Sequence, residues 1–175
     1  MKIGIIGAMD IEVEELINSM DDIKKEDISR IDFYEGKLQD KDVVVAKCGV
    51  GKVHAAVCTQ TMILKYAPDA IINIGVAGSL SNELDFADIV ISDGVVQHDF
   101  DVSPFGKPVG LITGIDLVKI PCSEELVKRL LSAAEILEDT NIAVGTVASG
   151  DQFISSKEKK DYIVNNFNAL CTEME

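Results

Sequence analysis

Short apolar runs recur along the chain, and segments with helical spacing of apolar residues lie between several of them. Six runs predict β-strands, at Lys2–Ile6, Ile31–Leu38, Val43–Lys47, Ala70–Ile74, Ile89–Ser92 and Ile142–Ala148. Four segments predict helices, at Asp10–Met20, Lys52–Tyr66, Ser123–Leu137, and from a Ser155/Glu158 capping box to near Phe167. A strand-like segment, Asn168–Glu175, closes the chain. The alternation predicts an α/β fold with three α/β/α layers and a central mixed, mostly parallel sheet.

Two connections depart from this alternation. The polar turn 39–42 joins two adjacent predicted strands, which favours one antiparallel hairpin. The segment Asp93–Ile120 is rich in Gly, Pro and turn residues, and we interpret it as a long functional loop. Because no repeat, low-complexity tract or linker is visible, residues 1–175 are expected to form a single domain.

Four of the predicted strands end in glycine-rich or polar turns. These turns comprise residues 7–9, 49–52, 75–79 and 149–151. Ligands of open parallel sheets bind outside the carboxyl ends of the strands, and glycine lets the backbone approach a flat ligand closely. An ordinary strand–helix turn would explain any one of the four, but together they predict a cleft for a small molecule.

The first of these turns carries the most specific chemistry. Asp10 is placed to cap the helix that follows, and Glu12, Glu14 and Glu15 lie within it. A helix start favours anions, yet this one is crowded with carboxylates and has no cation beside it in the sequence. A fixed negative charge there suits a general base or a hydroxyl-binding group better than a phosphate site.

Phosphate-binding patterns fail at both places where they could occur. Gly49–Lys52 is followed by Val53 rather than by Ser or Thr, and the spacing of Gly4 and Gly7 does not match a dinucleotide fingerprint. The chain has only two arginines, both outside the strand-end turns. Since phosphate sites usually use an arginine fork, we expect a neutral or cationic ligand, or water as a co-substrate.

Composition limits the partners, the cellular compartment and the cofactors that can be expected. A formal net charge of −14 argues against nucleic-acid and anionic-membrane partners. No signal peptide or membrane span is expected, and the scattered cysteines are interpreted as reduced thiols of a cytoplasmic protein. The segment 98–101, His-Asp-Phe-Asp, is interpreted as a loop histidine with solvated carboxylates rather than a metal site, and His54 as a surface or helix-packing residue. Neither a metal nor a cofactor is expected.

A set of motifs, taken in order, carries a family resemblance that no single motif would support. The segments are GIIGAMDIEVEEL, KCGVGKVHAA, IINIGVAGSL, HDFDVSPFG, VASGDQFI and the final EME. Together they resemble the 5′-methylthioadenosine/S-adenosylhomocysteine nucleosidases of the purine nucleoside phosphorylase-like superfamily, over residues 1–175. The resemblance implies hydrolysis of the N-glycosidic bond of a 5′-thio-substituted adenosine, which releases adenine and the 5′-thioribose.

The resemblance also implies roles for individual positions. Glu12 resembles the acid that activates the attacking water. Glu175 resembles the carboxylate that binds the ribose hydroxyls, with Met174 packing on the ribose and Glu173 close by. Phe153 resembles the ring that stacks on adenine, and the Ile154 backbone the group that reads the adenine edge. The rest of the cleft wall corresponds to Ala8, Met9, Val50, Val76, Ala77 and Gly78. Val102 and Phe105 lie where family members reach into a neighbouring subunit's pocket, which implies a homodimer.

Family members continue for a further strand and a long helix, which supply an aspartate that protonates adenine and an aromatic cap. The resemblance therefore implies a C-terminally truncated member that lacks the last strand and helix and whose activity is impaired or absent, since general acid catalysis contributes about 10²–10⁴-fold. Two alternatives stay open. One is a purine nucleoside phosphorylase on the same fold, and the other is a non-catalytic nucleoside-binding or dimerisation module.

Overall fold

The computed structural model describes all 175 residues. Its strands are β1 Lys2–Gly7, β2 Met20–Ile28, β3 Ile31–Leu38, β4 Lys41–Lys47, β5 Ala70–Asn73, β6 Gly78–Ser79, β7 Ile89–Gln97, β8 Lys119–Pro121, β9 Ile142–Ser149 and β10 Ala169–Glu173. Its helices are α1 Asp10–Asn18, α2 Lys52–Tyr66, α3 Glu124–Ala134 and α4 Lys157–Phe167, with one 3₁₀ turn at Ser103–Phe105. The chain divides into two compact units, Met1–Val76 with Glu175, and Ala77–Met174.

The first unit contains a five-stranded mixed sheet in the order β2-β3-β4-β1-β5. Strand β1 pairs in parallel with β4 and β5, whereas β2, β3 and β4 form an antiparallel meander. The carboxyl ends of β1, β4 and β5 therefore lie at the same edge of this sheet.

Alternating side chains of β4 build the core of the first unit. Val43 and Val45 pack with Val13 of α1, whereas Val44 and Ala46 pack with Met62 of α2 on the opposite face. Successive side chains of a strand point to opposite faces, so a continuous apolar run covers both faces at once. The first unit consequently has three α/β/α layers, as predicted.

The second unit contains another five-stranded mixed sheet, in the order β6-β10-β9-β7-β8. Strand β9 pairs in parallel with β7 and β10, and the short strands β8 and β6 add antiparallel edges. Helix α4 packs against this sheet through Ile163 and Phe167, which are buried with Val96, Ala148 and Ala169.

The mixed α/β fold is confirmed, and the predicted antiparallel hairpin forms between β3 and β4. The strands are divided between two hydrogen-bonded sheets, because β9 pairs with β7 and β10 and with no strand of the first unit. Strand β2 has no counterpart in the sequence analysis, since its charged, mostly exposed sequence MDDIKKEDI has no apolar periodicity and pairs only with β3.

Two local predictions are wrong. The interpretation of Asp93–Ile120 as a loop fails at both ends, because β7 continues to Gln97 and β8 begins at Lys119. Ser155 does not cap α4, since the cap is Ser156, whose Oγ accepts a hydrogen bond from the Lys159 N–H at 3.3 Å. None of the four helices is long and apolar enough to cross a membrane.

Candidate functional site

The carboxylate of Glu12, in the first turn of α1, accepts three backbone hydrogen bonds. Oε2 accepts from the N–H groups of Ala8 at 2.7 Å and Met9 at 2.9 Å. Oε1 accepts from the N–H of Val76 at 3.0 Å. Hydrogen bonds to a carboxylate are charge-assisted and therefore strong. Because both oxygens are engaged, the half-buried side chain is held in one orientation between the turns that follow β1 and β5.

The start of α1 explains how Glu12 reaches these amides. Met9 is extended, with φ −120° and ψ 156°, and it immediately precedes the helix. The side chain of Glu12 folds back over this residue and accepts the N–H groups of Ala8 and Met9, which precede the helix. The prediction that Asp10 caps the helix is therefore wrong. Asp10 is the first helical residue, and its Oδ1 accepts a hydrogen bond from Lys47 Nζ at 2.6 Å.

This ion pair also corrects the expectation that no cation lies near the first turn. Lys47 ends β4, which pairs with β1 in register, with Lys47 opposite Gly7. The hydrogen bond with Asp10 raises the pKa of Lys47. Both side chains are largely exposed, so the pair contributes little to stability. Lys47 is paired with Asp10, whereas the carboxylate of Glu12 is held by backbone N–H groups.

Gly75 is the residue that leaves room for the Glu12 carboxylate. A Cβ atom at this position would lie 2.7 Å from Glu12 Oε1 and 3.1 Å from Glu12 Cδ. Such separations lie inside van der Waals contact, so any larger residue would push the carboxylate away. The turn after β5 therefore accommodates the acid as well as donating the Val76 amide to it.

Glu175 lies at the start of helix α2. Its Oε1 accepts a hydrogen bond from the Gly51 N–H at 3.3 Å, and Gly51 is the residue that precedes the helix. The turn after β4 is itself tied to the turn after β1, because the Gly49 N–H donates to the Ala8 carbonyl at 3.1 Å. The first unit thus assembles the predicted residues Ala8, Met9, Glu12, Val50, Val76 and Glu175 on the turns that follow β1, β4 and β5 and at the end of the chain.

In the second unit, the turn after β9 is fixed by its neighbours. The Ser149 carbonyl accepts from the His98 N–H at 3.0 Å, and the Gly150 N–H donates to the Glu173 carbonyl at 3.2 Å. The Asp151 N–H donates to Asp99 Oδ2 at 2.8 Å. This turn leads directly into the two positions that are expected to contact adenine.

Those two positions differ in environment. Phe153 is 83% exposed, so its ring is available to a ligand, whereas Ile154 is 8% exposed and belongs to the core of the second unit. Stacking needs an accessible face, and a backbone group that reads a base edge needs a rigid anchor.

The remaining predicted positions of the second unit are accessible to different degrees. Ala77 and Gly78 are exposed, and Gly78 pairs with Thr172 of β10. Glu173 and Met174 are half-buried at the end of β10. Val102 is half-buried, whereas Phe105, on the 3₁₀ turn, is 85% exposed.

The His-Asp-Phe-Asp segment is not the solvated loop that we expected. His98 is only 6% exposed, and it follows β7 directly. Asp99 is half-buried and accepts a hydrogen bond from the turn after β9. Asp101 is exposed, and hydrogen bonds from the side chain and then from the backbone N–H of Ser103 lower the pKa of its carboxyl. By contrast, His54 lies on the surface of α2, with Nδ1 2.8 Å from the Val50 carbonyl oxygen, as predicted.

No group of three or more His, Cys, Asp or Glu side chains is arranged to hold a metal ion. The four cysteines are free thiols, and burial raises the pKa of Cys58 to about 12 and that of Cys171 to about 11. Thiols with such high pKa values are poor nucleophiles at neutral pH. The oriented carboxylate of Glu12 is thus the best-prepared reactive group among those predicted.

Comparison with known proteins identifies the family. The chain matches the model of the phosphorylase superfamily over residues 2–175. It is 42% identical to the 5′-methylthioadenosine/S-adenosylhomocysteine nucleosidase of Shewanella loihica, over 100% of this chain and 76% of the relative. The nucleosidase of Neisseria meningitidis in complex with methylthio-immucillin-A superimposes with a TM-score of 0.96 at 35% identity, over 99% of this chain and 75% of that one. The Colwellia psychrerythraea nucleosidase in complex with adenine gives a TM-score of 0.95 at 32% identity, over 100% and 73%. The chain therefore belongs to the phosphorylase superfamily and, within it, to the 5′-methylthioadenosine/S-adenosylhomocysteine nucleosidases.

Proposed function

We propose that this protein hydrolyses the N-glycosidic bond of 5′-methylthioadenosine and S-adenosylhomocysteine, releasing adenine and the 5′-thioribose. One observation carries the proposal beyond family membership. Three backbone N–H groups fix the Glu12 carboxylate beside the carboxyl ends of β1 and β5. This is where a hydrolase of this kind needs its base. A neutral nucleoside substrate also agrees with strand-end turns that carry no arginine.

Glu12 acts on water. It accepts a proton from the attacking water, whose oxygen forms a bond to the anomeric carbon of the ribose. The bond from that carbon to adenine breaks, and adenine leaves with the electron pair and takes up one proton from solvent, to which Glu12 later releases the proton that it accepted. Since the ribosyl centre becomes positively charged as this bond breaks, a nearby carboxylate stabilises the transition state more than the ground state.

Glu175 binds the ribose hydroxyls, because a carboxylate accepts two such donors at once. The Gly51 N–H bond orients this side chain at the start of α2. Met174 packs on the ribose and Glu173 lies close by, both on the segment that ends β10. The complex of the Neisseria relative with methylthio-immucillin-A supports a nucleoside-shaped ligand in this family.

Phe153 stacks on the adenine ring, and the Ile154 backbone hydrogen-bonds to the adenine edge. The exposure of the Phe153 ring and the burial of Ile154 support this assignment. The cleft wall is completed by Ala8, Met9, Val50, Val76, Ala77 and Gly78. The complex of the Colwellia relative with adenine supports an adenine subsite.

The functional unit is a homodimer in the cytoplasm, and Val102 and Phe105 contribute to the neighbouring subunit's 5′-thio pocket. Phe105 is 85% exposed, so its ring is accessible to a neighbouring subunit. Helix α2 likewise presents an exposed apolar face, with Val53, Val57 and Leu64 at helical spacing. Four free cysteines agree with a reducing compartment.

An adenine-release assay with 5′-methylthioadenosine, run with and without phosphate, tests the proposal. We expect release that is independent of phosphate and a free 5-methylthioribose product. Strictly phosphate-dependent release of a pentose 1-phosphate would instead indicate a phosphorylase. Nucleoside binding without any turnover would indicate a binding module.

A further inference from the structure

The His-Asp pair at positions 98 and 99 has no role in the reaction as proposed above, yet it is built into the second unit. His98 is 6% exposed and its N–H donates to the Ser149 carbonyl. Burying a polar imidazole is unfavourable unless the structure gains something in return. Both residues contact the same segment, the turn 149–152 after β9.

The imidazole of His98 packs directly on Gly150. A Cβ atom at position 150 would overlap the ring, with Cδ2 at 2.9 Å and both Nε2 and Cε1 closer still. Glycine is therefore the residue that lets the imidazole cover the turn. The ring also prevents the turn from moving towards the end of β7, because it fills the space between them.

Asp99 holds the peptide group between Gly150 and Asp151. Its Oδ2 accepts the Asp151 N–H at 2.8 Å, and the Gln152 N–H closes the turn on the Gly150 carbonyl at 2.8 Å. Two successive residues of one segment thus constrain two successive residues of the other, one by packing and one by a charge-assisted hydrogen bond.

We propose that His98 and Asp99 are positioning residues, which hold the turn 149–152 so that Phe153 and the Ile154 backbone are presented to adenine in a fixed place. This inference rests on the proposed function, because it assumes that adenine binds at Phe153. The exposed ring of Phe153 has few contacts of its own to fix it, so its place depends on the backbone immediately before it. Misplacing a reacting group by about 1 Å can slow a reaction about 100-fold, so the place in which the adenine is held matters for catalysis.

Adenine binding, measured by calorimetry on the full chain, tests the proposal. Asp99→Ala removes the acceptor of the Asp151 N–H and is expected to weaken adenine binding about 10-fold. Asp99→Asn keeps an acceptor oxygen and is expected to restore binding to within about threefold of the unsubstituted protein. Asp88→Ala is the matched control, because Asp88 also accepts a backbone N–H, that of Asp85 at 2.7 Å, far from this turn.

Hydrogen exchange supplies a readout that does not depend on the ligand. In Asp99→Ala the amides of Asp151 and Gln152 should exchange faster, whereas Asp88→Ala should leave them unchanged. Gly150→Ala probes the His98 contact separately and should loosen the same amides. If Asp99→Ala and Gly150→Ala both fold and bind adenine as tightly as the unsubstituted chain, the positioning role is refuted.

The two proposals fail in different ways. An unsubstituted chain that does not bind adenine would contradict the proposed function and the adenine part of this inference. Unchanged exchange at Asp151 in Asp99→Ala would refute the positioning part, whatever the chain binds.

Discussion

Replacing Gly75 with Ala tests how closely the geometry around Glu12 controls the reaction. The added methyl group would lie 2.7 Å from Glu12 Oε1 and 3.4 Å from Oε2, so Oε1 must retreat by several tenths of an ångström. The hydrogen bond that the Val76 N–H donates at 3.0 Å is lost first, because its acceptor is Oε1. Backbone donors at Ala8 and Met9 hold only the other oxygen.

The magnitude follows from the displaced oxygen. A shift of this size, together with loss of one oriented donor, corresponds to about 100-fold in kcat, or about 2.7 kcal/mol of activation free energy. KM for 5′-methylthioadenosine should change by less than about threefold, since Glu12 contacts the water rather than the nucleoside. The measurement is steady-state adenine release by Gly75→Ala and by the unsubstituted chain.

Gly4→Ala is a suitable control for the stability of the same unit. A Cβ atom at Gly4 would overlap Met62 Sδ and lie 3.2 Å from Ile71, away from Glu12. This variant should lose stability but keep its kcat. If folded Gly75→Ala retains kcat within about twofold of the unsubstituted chain, the fixed position of Glu12 does not matter and the argument fails.

Two further predictions concern stability. Burial raises the pKa of Cys58 from an ordinary value of 9.0 to about 12, so the thiol loses its proton at a lower pH in the unfolded chain than in the folded one. The contribution of Cys58 to the free energy of unfolding should therefore be constant below about pH 9 and should fall as the pH rises from 9 towards 12. Urea unfolding across this range measures the slope, which Cys58→Ala should reduce; an unchanged slope would contradict the assignment. Phe33 is fully buried and packs against Tyr66, with a distance of 5.4 Å between the ring centroids. Replacing Phe33 with Ala should lower the free energy of unfolding by about 3–5 kcal/mol. Phe86→Ala is the control, because Phe86 is fully exposed and should change stability by less than about 0.5 kcal/mol.

The sequence predicts those elements whose apolar pattern determines their environment. Strand β4 is a continuous apolar run because both of its faces are covered by helices. Helix α2 is recognised over its full range because apolar residues recur at helical spacing up to the point where Pro68 follows. Strand β2 is invisible to the same reasoning, since it is fixed by pairing with β3 rather than by burial of its side chains.

Contacts between distant segments are harder to predict than elements. The sequence places Asp10 at the natural capping position, but the helix already begins at Asp10, and the longer side chain of Glu12 reaches back to the N–H groups of Ala8 and Met9. Nothing local indicates that Gly75 faces Glu12, or that His98 is buried against Gly150, because each pair joins segments more than fifty residues apart. The division of the strands into two sheets depends on the same kind of long-range pairing.

Glu12→Gln tests the central claim most directly, because the amide keeps the shape of the side chain but cannot accept the proton of water as a carboxylate does. The measurement is adenine release from saturating 5′-methylthioadenosine, with adenine affinity determined in parallel. We expect kcat to fall at least about 100-fold while adenine affinity stays within about threefold. An unchanged kcat in the folded variant would show that another group activates the water.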